Sequence, residues 1–108
     1  MDFKELGAGL GLEEDEFLEL VELFLSSAAS DIGKLKKAYE DKNVNQAADA
    51  AHSLKGSSGN LGFTEFFEIA KEVEDGARKN NIDKLDTTLI KLKEKLIHIS
   101  DCLKNNPN

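Results

Sequence analysis

The spacing of apolar residues constrains this chain more than any other feature, because it follows the period of an α-helix in every long segment. The final segment shows this most clearly, since its apolar side chains recur at intervals of four and three positions: Leu85, Leu89, Leu92, Leu96, Ile99 and Leu103. The only proline is Pro107, so no proline interrupts a helix before it. Signals typical of β-strands are nearly absent, and the sequence predicts an all-α fold.

Capping residues divide this periodic pattern into five predicted helices. The long second helix opens on "EEDE", which places negative charge at the positive end of the helix dipole. Asn43 and Gln46 resemble a capping box at the start of the third helix, and Gly62 is a suitable residue to end it. Thr64 is the predicted N-cap of the fourth helix. In chain order, the predicted helices cover residues 2–10, 13–41, 43–62, 64–79 and 83–103.

These segments fit one domain, because a chain of 108 residues is long enough for a single hydrophobic core. Four substantial amphipathic helices with short connections favour an antiparallel four-helix bundle, here with a short additional N-terminal helix. We expect the bundle domain to cover residues 1–104 and a polar tail to cover residues 105–108.

Composition excludes several classes of function. The formal net charge of −7 argues against a nucleic-acid binder, which needs a basic face, and disfavours attachment to an anionic membrane. No apolar run approaches the roughly 18 residues of a membrane span, and the first residues do not resemble a signal peptide. The single cysteine excludes an internal disulfide and fits a reducing compartment, so we expect a cytoplasmic protein. The two histidines lie far apart, and metal-ligand spacing is absent.

The stretch "AAHSLKGSSGNLG", residues 50–62, is unusual for a helix because glycine there costs roughly 1 kcal/mol relative to alanine. On a helical wheel His52 points about 130° away from the centre of the apolar stripe. Gly56 and Gly59 share its outward face, Ala48 lies one turn before it, and Lys55 is the one nearby cation. The predicted core stripe of this helix consists of Ala47, Ala51, Leu54, Ser58 and Leu61.

Two interpretations of this face stay open from the residues alone. His52 can be an ordinary surface histidine, but glycines on its exposed face then lower helix stability without a compensating contact. Alternatively, the glycines allow another molecule to approach closely, and the exposed neutral imidazole acts as a nucleophile. A lysine one turn away suits an anion that arrives on the ring. This combination favours transient carriage of a phosphoryl or acyl group over metal binding.

The segment "AHSLKGSSGNLG" resembles the signature of histidine-containing phosphotransfer domains, the relay modules of bacterial two-component signalling. The resemblance covers nearly the whole chain and implies a helical bundle with the signature in its third helix. It implies that His52 accepts a phosphoryl group from the phospho-aspartate of a receiver domain and passes it to another receiver. Lys55 is then expected to neutralise phosphoryl oxygens, and Gly56 to leave room for the incoming active site.

Further roles follow from the resemblance only. Members of the family often carry a Glu or Gln on the following helix that hydrogen-bonds the imidazole, and Glu74 stands at that position. Arg78 aligns with a basic position of some members, and Lys71 lies on the same edge of that helix. The Mg²⁺ that assists phosphoryl transfer belongs to the receiver, so we expect a carrier with no cofactor and no ATP site of its own. The expected partners are receiver domains, a hybrid histidine kinase, or both.

The expected docking surface is a modest apolar patch ringed by polar groups. Its candidates are the glycine face with Ala48, and Phe3, Leu6 and Leu10 of the short leading helix, which alternatively cap one end of the bundle. We expect a monomer. His98 lies off the apolar stripe of the last helix and is predicted to be an ordinary surface residue.

Two alternative functions stay open beside the carrier. The chain can be the phospho-acceptor domain of a histidine kinase, which an ATP-binding domain phosphorylates directly. It can also be a helical interaction module in which His52 never carries phosphate.

Overall fold

The computed structural model describes residues 1–106, which form five α-helices and no strand. The helices are α1 (Phe3–Gly9), α2 (Glu14–Asp41), α3 (Val44–Asn60), α4 (Thr64–Arg78) and α5 (Leu85–Lys104). The predicted all-α bundle with a short leading helix is therefore confirmed. Pro107 and Asn108, the last two residues of the predicted tail, lie outside the described residues.

The helices pack in a closed order that exposes one side of α3. The long helix α2 contacts α1, α3 and α5, and α4 contacts α3 and α5. Because the connections between α2, α3, α4 and α5 are short, successive helices run antiparallel. No helix in the described residues is both long and apolar enough to cross a membrane.

All helix ends lie within two residues of their predicted positions, although α5 begins at Leu85 and not at Asp83. The side chain of Asn43 accepts a hydrogen bond of 3.0 Å from the backbone N–H of Gln46, which is one half of the predicted capping box. The other half is absent, because the N–H of Asn43 donates to the carbonyl of Ala38 at 2.8 Å and not to the side chain of Gln46. Gly62 follows α3 with a φ of +77°, a left-handed conformation that suits glycine. Thr64, however, is the first residue of α4 and not its N-cap, so that prediction is wrong. The N-cap is Phe63, which makes no capping hydrogen bond with its side chain.

Aromatic packing explains this departure. Phe63 is only 5% exposed, and its ring centroid lies 5.2 Å from that of Phe24 and 6.4 Å from that of Phe17. Burying a phenylalanine side chain contributes about 1.5–3 kcal/mol, which exceeds the contribution of about 1 kcal/mol from a typical N-cap. The tertiary contact therefore fixes how the chain enters α4. The same aromatic cluster includes Phe3 and Phe66.

The buried face of α3, the helix that carries the glycine-rich segment, consists mainly of small side chains. Its buried residues are Ala47, Ala48, Ala50, Ala51, Leu54 and Ser58. All five residues of the predicted core stripe, including Leu61 just after the helix, are buried. Small residues let α3 lie close to α2 and α4, which brings side chains on the flanks of α3 within reach of both neighbours.

Gly76 is required by the turn between α4 and α5. A Cβ atom at this position would lie 2.9 Å from the backbone carbonyl oxygen of Asn81, and the N–H of Asn81 donates to the Gly76 carbonyl at 2.8 Å. We expect Gly76→Ala to lower the free energy of unfolding by about 1–2 kcal/mol, because the loop backbone must shift. Gly33 is the matched control, because it is a helical glycine at which an added Cβ atom would have no neighbour within 4 Å. Gly33→Ala is expected to raise that free energy by about 0.5–1 kcal/mol, and equal denaturation midpoints for the two variants would contradict the assignment.

Candidate functional site

His52 lies on the exposed side of α3, as the helical wheel predicts. Its side chain is 65% exposed, whereas Leu54, two residues later, is fully buried. Helix α4 packs alongside α3 and supplies the contact that orients the ring. The imidazole is therefore held by the protein on one side and open to solvent on the other.

Glu74 of α4 is the residue that holds the ring. Its carboxylate oxygen Oε2 lies 2.9 Å from Nδ1 of His52, although its side chain is only 5% exposed. The other ring nitrogen, Nε2, makes no hydrogen bond with the described residues 1–106. A proton on Nδ1 donates to the carboxylate, which leaves the lone pair of Nε2 directed away from Glu74. The geometry that the family resemblance implies for Glu74 is therefore present.

Two cations share the same carboxylate. Nζ of Lys55 lies 2.7 Å from Oε1 of Glu74. Arg78, one turn along α4, donates from Nη2 at 2.7 Å and from Nε at 3.1 Å to Oε2. Glu74 thus connects His52 with two of the three basic residues that the sequence singles out here, Lys55 and Arg78, but not with Lys71. The sequence did not predict that Lys55 pairs with Glu74 in this state.

The cations around Glu74 control its ionisation. The hydrogen bond from Lys55 is the largest cause that lowers the pKa of Glu74 to about 2, and hydrogen bonds from Arg78 and His52 act in the same direction. Burial opposes them by disfavouring the charged form. Glu74 is therefore a carboxylate at neutral pH, and it can accept the Nδ1 proton of His52 in a hydrogen bond.

This shift makes stability depend on pH. The folded-state pKa of Glu74 lies below its ordinary value of 4.5, so its stabilising contribution is present above pH 4.5 and is lost as the pH falls towards 2. That contribution is at most about 3 kcal/mol, and less because solvent screens the exposed cations. We expect Glu74→Gln to be less stable than the wild type at pH 7, with the difference shrinking below pH 4 as measured by urea unfolding. Glu72→Gln, an exposed glutamate on the same helix, is the control, and a difference that stays constant with pH for Glu74→Gln would contradict the expectation.

The two glycines near His52 have different surroundings. Gly56 is exposed, and a Cβ atom there would have no neighbour within 4 Å, as expected for a cleared outward face. A Cβ atom at Gly59 would lie 3.1 Å from the ring of Phe67 on α4. Gly59 is exposed, as predicted, but close packing against Phe67 is a second reason for a glycine at this position, and its role in partner contact stays a prediction.

Other predicted contact residues lie outside the cluster around His52. Ala48 is only 5% exposed, so its predicted place on the docking face is wrong, because the close approach of α3 to its neighbours buries it. Lys71 is exposed on α4 and makes no ion pair within residues 1–106. Phe3 is 2% exposed and belongs to the aromatic cluster, so it caps the bundle and is not available for docking.

His98 is exposed, as predicted, and lies on α5, away from the glycine-rich segment of α3. Its Nε2 lies 3.7 Å from the Sγ atom of Cys102. Among the described residues, no carboxylate makes a hydrogen bond with this ring. Within residues 1–106 there is no group of three or more His, Cys, Asp or Glu side chains arranged to hold a metal ion.

Only Leu10 of an apolar groove beside α3 was predicted from the sequence as a docking candidate. The groove is lined by Leu10, Leu12, Leu20, Leu23, Phe24, Ser27, Ser57, Asn60 and Leu61. Leu10, Leu20 and Leu23 are 46%, 39% and 67% exposed, which is high for leucine in a folded domain. A signal was present in "FLELVELFL", residues 17–25, because seven of these nine residues are apolar, which is more than one buried stripe needs.

Comparison with known proteins gives a consistent result. In curated proteins, the chain is similar to the phosphorelay intermediate protein YPD1 of Candida albicans, with 29% identity over 85 residues. That alignment covers 76% of this chain and 46% of the relative, so the chain spans just under half of the relative's length.

A solved structure shares the fold. It is the crystal structure of histidine-containing phosphotransfer protein B from Pseudomonas aeruginosa PAO1, with a TM-score of 0.84 and 22% identity. The match covers 96% of this chain and 90% of that one. The model of the Hpt domain family matches residues 19–103, which include His52 and its helix. Since this match covers most of the chain, the protein belongs to the Hpt domain family.

Proposed function

We propose that this chain is a phosphoryl carrier of a phosphorelay, in which His52 accepts the phosphoryl group of a receiver domain's phospho-aspartate and passes it to another receiver domain. One observation carries the proposal: an exposed imidazole is oriented through Nδ1 by a buried carboxylate at 2.9 Å, beside a glycine with open space around it. The name of the Candida relative, a phosphorelay intermediate protein, supports the same role.

The chemistry needs no further group from this chain. The lone pair of Nε2 attacks phosphorus, the N–P bond forms as the P–O bond to the receiver's aspartate breaks, and the aspartate leaves as a carboxylate with that electron pair. Nδ1 keeps its proton, so the ring becomes a phosphorylated imidazolium whose positive charge faces Glu74. In the second transfer, an aspartate oxygen attacks phosphorus and the electron pair of the N–P bond returns to Nε2. Glu74 thus stabilises the charge that develops on the ring.

Lys55 is placed to follow the phosphoryl group. Its flexible side chain extends from a position one turn along α3 from His52, and its Nζ contacts Glu74 in the unphosphorylated chain. After transfer, Lys55 can turn to the phosphoryl oxygens, because Nε and Nη2 of Arg78 continue to pair with Glu74. The receiver supplies the Mg²⁺ and most of the electrostatic stabilisation, so this chain acts as a carrier without its own ATP site.

The receiver docks, in this proposal, over Gly56 and the apolar groove. On the helical wheel of α3, Gly56 lies about 40° from His52 and Asn60 about 80°, so the exposed face leads directly from the imidazole to the groove. Exposed Leu20 and Leu23 then bury apolar surface against the partner. On the other flank, Lys71 and Arg78 offer positive charge to the acidic rim of a receiver's active site.

The oligomeric state and the cellular location are part of the same proposal. A closed bundle that buries its own aromatic cluster has no need of a second copy, which supports a monomer. The acidic composition and the single cysteine support a location in the cytoplasm.

The test is a transfer assay. The chain is incubated with receiver domains that carry labelled phospho-aspartate, and acid-labile, base-stable phosphate on the chain is measured. Transfer from at least one receiver is the expected result. Labelling by a histidine kinase with ATP, but by no receiver, would instead make the chain a kinase's phospho-acceptor domain. Absence of labelling in both arms would leave a helical interaction module and overturn the proposal.

Glu74 gives a graded test of the mechanism. We expect Glu74→Ala to slow phosphoryl transfer by about 10- to 100-fold without abolishing it, because orientation of the ring is lost while the nucleophile remains. The rate is measured by quenched-flow labelling from a phosphorylated receiver, with Glu72→Ala as the control on the same helix. A rate equal to that of the wild type would remove Glu74 from the mechanism.

A further inference from the structure

A second polar contact holds α3 next to His52, from the opposite neighbour. Oγ of Ser53 donates a hydrogen bond of 2.7 Å to Oδ2 of Asp31 on α2. Asp31 is only 5% exposed, and it makes no ion pair within the described residues. The two consecutive residues His52 and Ser53 are thus tied to different helices, one to α4 through Glu74 and the other to α2 through Asp31.

A buried carboxylate without an ion pair is an expensive way to hold two helices together. Burial of a charged group costs free energy that a single neutral donor offsets only in part. An apolar pair at these positions would stabilise the α2–α3 contact at least as well. The contact must therefore provide something that apolar packing does not, and direction is what a hydrogen bond adds.

The direction of this hydrogen bond matters because the buried face of α3 consists mainly of alanine. Four of its six buried residues are alanines, whose methyl groups interlock weakly with the ridges of a neighbouring helix. A rotation of α3 by about 10° moves an atom about 6 Å from its axis by about 1 Å. That displacement would stretch the hydrogen bond between His52 and Glu74 beyond its useful range. Packing alone therefore fixes the rotation of α3 poorly at the level of His52.

We propose that Asp31 is a positioning residue for the phospho-acceptor: its hydrogen bond to Ser53 fixes the rotation of α3, so that Nδ1 of His52 meets Glu74 and Nε2 faces the incoming phosphoryl group. The effect on transfer rests on the function proposed above, whereas the effect on the ring does not. Asp31 makes no hydrogen bond with the imidazole, and it acts through Ser53 and the α3 backbone.

The other groups near this contact do not replace it. Asp31, Lys34, Asp49 and Ser53 line one polar groove between α2 and α3. Lys34 and Asp49 are both exposed at its rim, and neither forms an ion pair within residues 1–106. Ser53→Ala is the decisive variant, because removal of Asp31 itself opens a buried site and can unfold the chain. Ser53→Thr keeps the hydroxyl, and Asp49→Asn alters the same groove without touching the contact.

The experiment reads the ring directly. Imidazole ¹⁵N chemical shifts, recorded at a pH where the ring is neutral, give the fraction of His52 that carries its proton on Nδ1. We expect this fraction to fall at least about twofold in Ser53→Ala, towards the value of Glu74→Ala, while Ser53→Thr and Asp49→Asn match the wild type. Transfer from a phosphorylated receiver is expected to slow about tenfold in Ser53→Ala and to recover in Ser53→Thr.

Two results would overturn the proposal. One is a Ser53→Ala variant that is less stable but has the ring signals of the wild type, since the contact would then be structural only. The other is Ser53→Thr behaving as Ser53→Ala, since the hydroxyl would then have no role. The ring signals need no phosphate, so they decide the role of Asp31 even if no receiver labels the wild type, which would be the failure of the proposed function.

Discussion

Replacing His52 with glutamine is expected to abolish phosphoryl acceptance, with labelling from a phosphorylated receiver falling more than about 1,000-fold, to background. The physical reason is that the carboxamide nitrogen of glutamine has no lone pair available for attack on phosphorus. The substitution should leave the fold intact, because the side chain it replaces is 65% exposed. Glutamine can still donate to Glu74, so the loss would report on the nucleophile and not on the charge cluster.

His98→Gln is the matched control, because it removes the other histidine of the chain, which is also exposed on a helix surface. Its labelling should equal that of the wild type. Circular dichroism and thermal midpoints of both variants establish that the bundle remains folded. Equal labelling of His52→Gln and the wild type would show that phosphate sits elsewhere, and loss of labelling in His98→Gln would move the site to α5.

The fold could be predicted from the sequence because the apolar period is unbroken and the turns carry local signals. Asn43 and Gly62 act within a few residues of their own positions, so their roles follow from local chemistry alone. Thr64 shows the limit of this approach. A threonine before a helical pattern is a reasonable N-cap, but the burial of Phe63 against Phe17 and Phe24 decides where α4 begins. That contact joins residues far apart in the sequence, and no local pattern contains it.

The candidate site divides in the same way. The outward direction of His52 and the open space at Gly56 follow from angles on one helix, and both are present in the structure. The place of Glu74 opposite the imidazole came from the resemblance to a family, not from the spacing of residues. The pairing of Lys55 with Glu74 could not be foreseen, because it depends on the distance between α3 and α4.

Errors at the site share one physical cause, which is that a helical wheel treats a helix as alone. Ala48 points away from the main stripe of α3 and was assigned to the exposed face, but α3 is covered on two sides in the bundle and Ala48 is buried. Gly59 is exposed as assigned, yet the wheel could not show that the ring of Phe67 on α4 packs against it. The contact between Asp31 and Ser53 was missed for the same reason, since it also joins two helices.

Gly56→Leu is expected to stabilise the bundle and at the same time block phosphoryl transfer. The helix gains about 1 kcal/mol when glycine is replaced by a good helix former, and a Cβ atom at this position would have no neighbour within 4 Å. A leucine at this position projects from the same face as His52, one turn along. It should therefore exclude a receiver that needs to bring its aspartate to Nε2, with transfer slowing by at least about 100-fold.

Gly33→Leu separates the gain in stability from the block of transfer. Gly33 is also an exposed helical glycine, and a Cβ atom added there would have no neighbour within 4 Å. Both variants should gain similar stability in urea unfolding, but only Gly56→Leu should lose transfer from a phosphorylated receiver. A small phosphoryl donor such as acetyl phosphate needs no docking surface, so any labelling that it gives should persist in Gly56→Leu. Normal transfer from a receiver to Gly56→Leu would show that the partner approaches His52 from another side, whichever residue carries the phosphate.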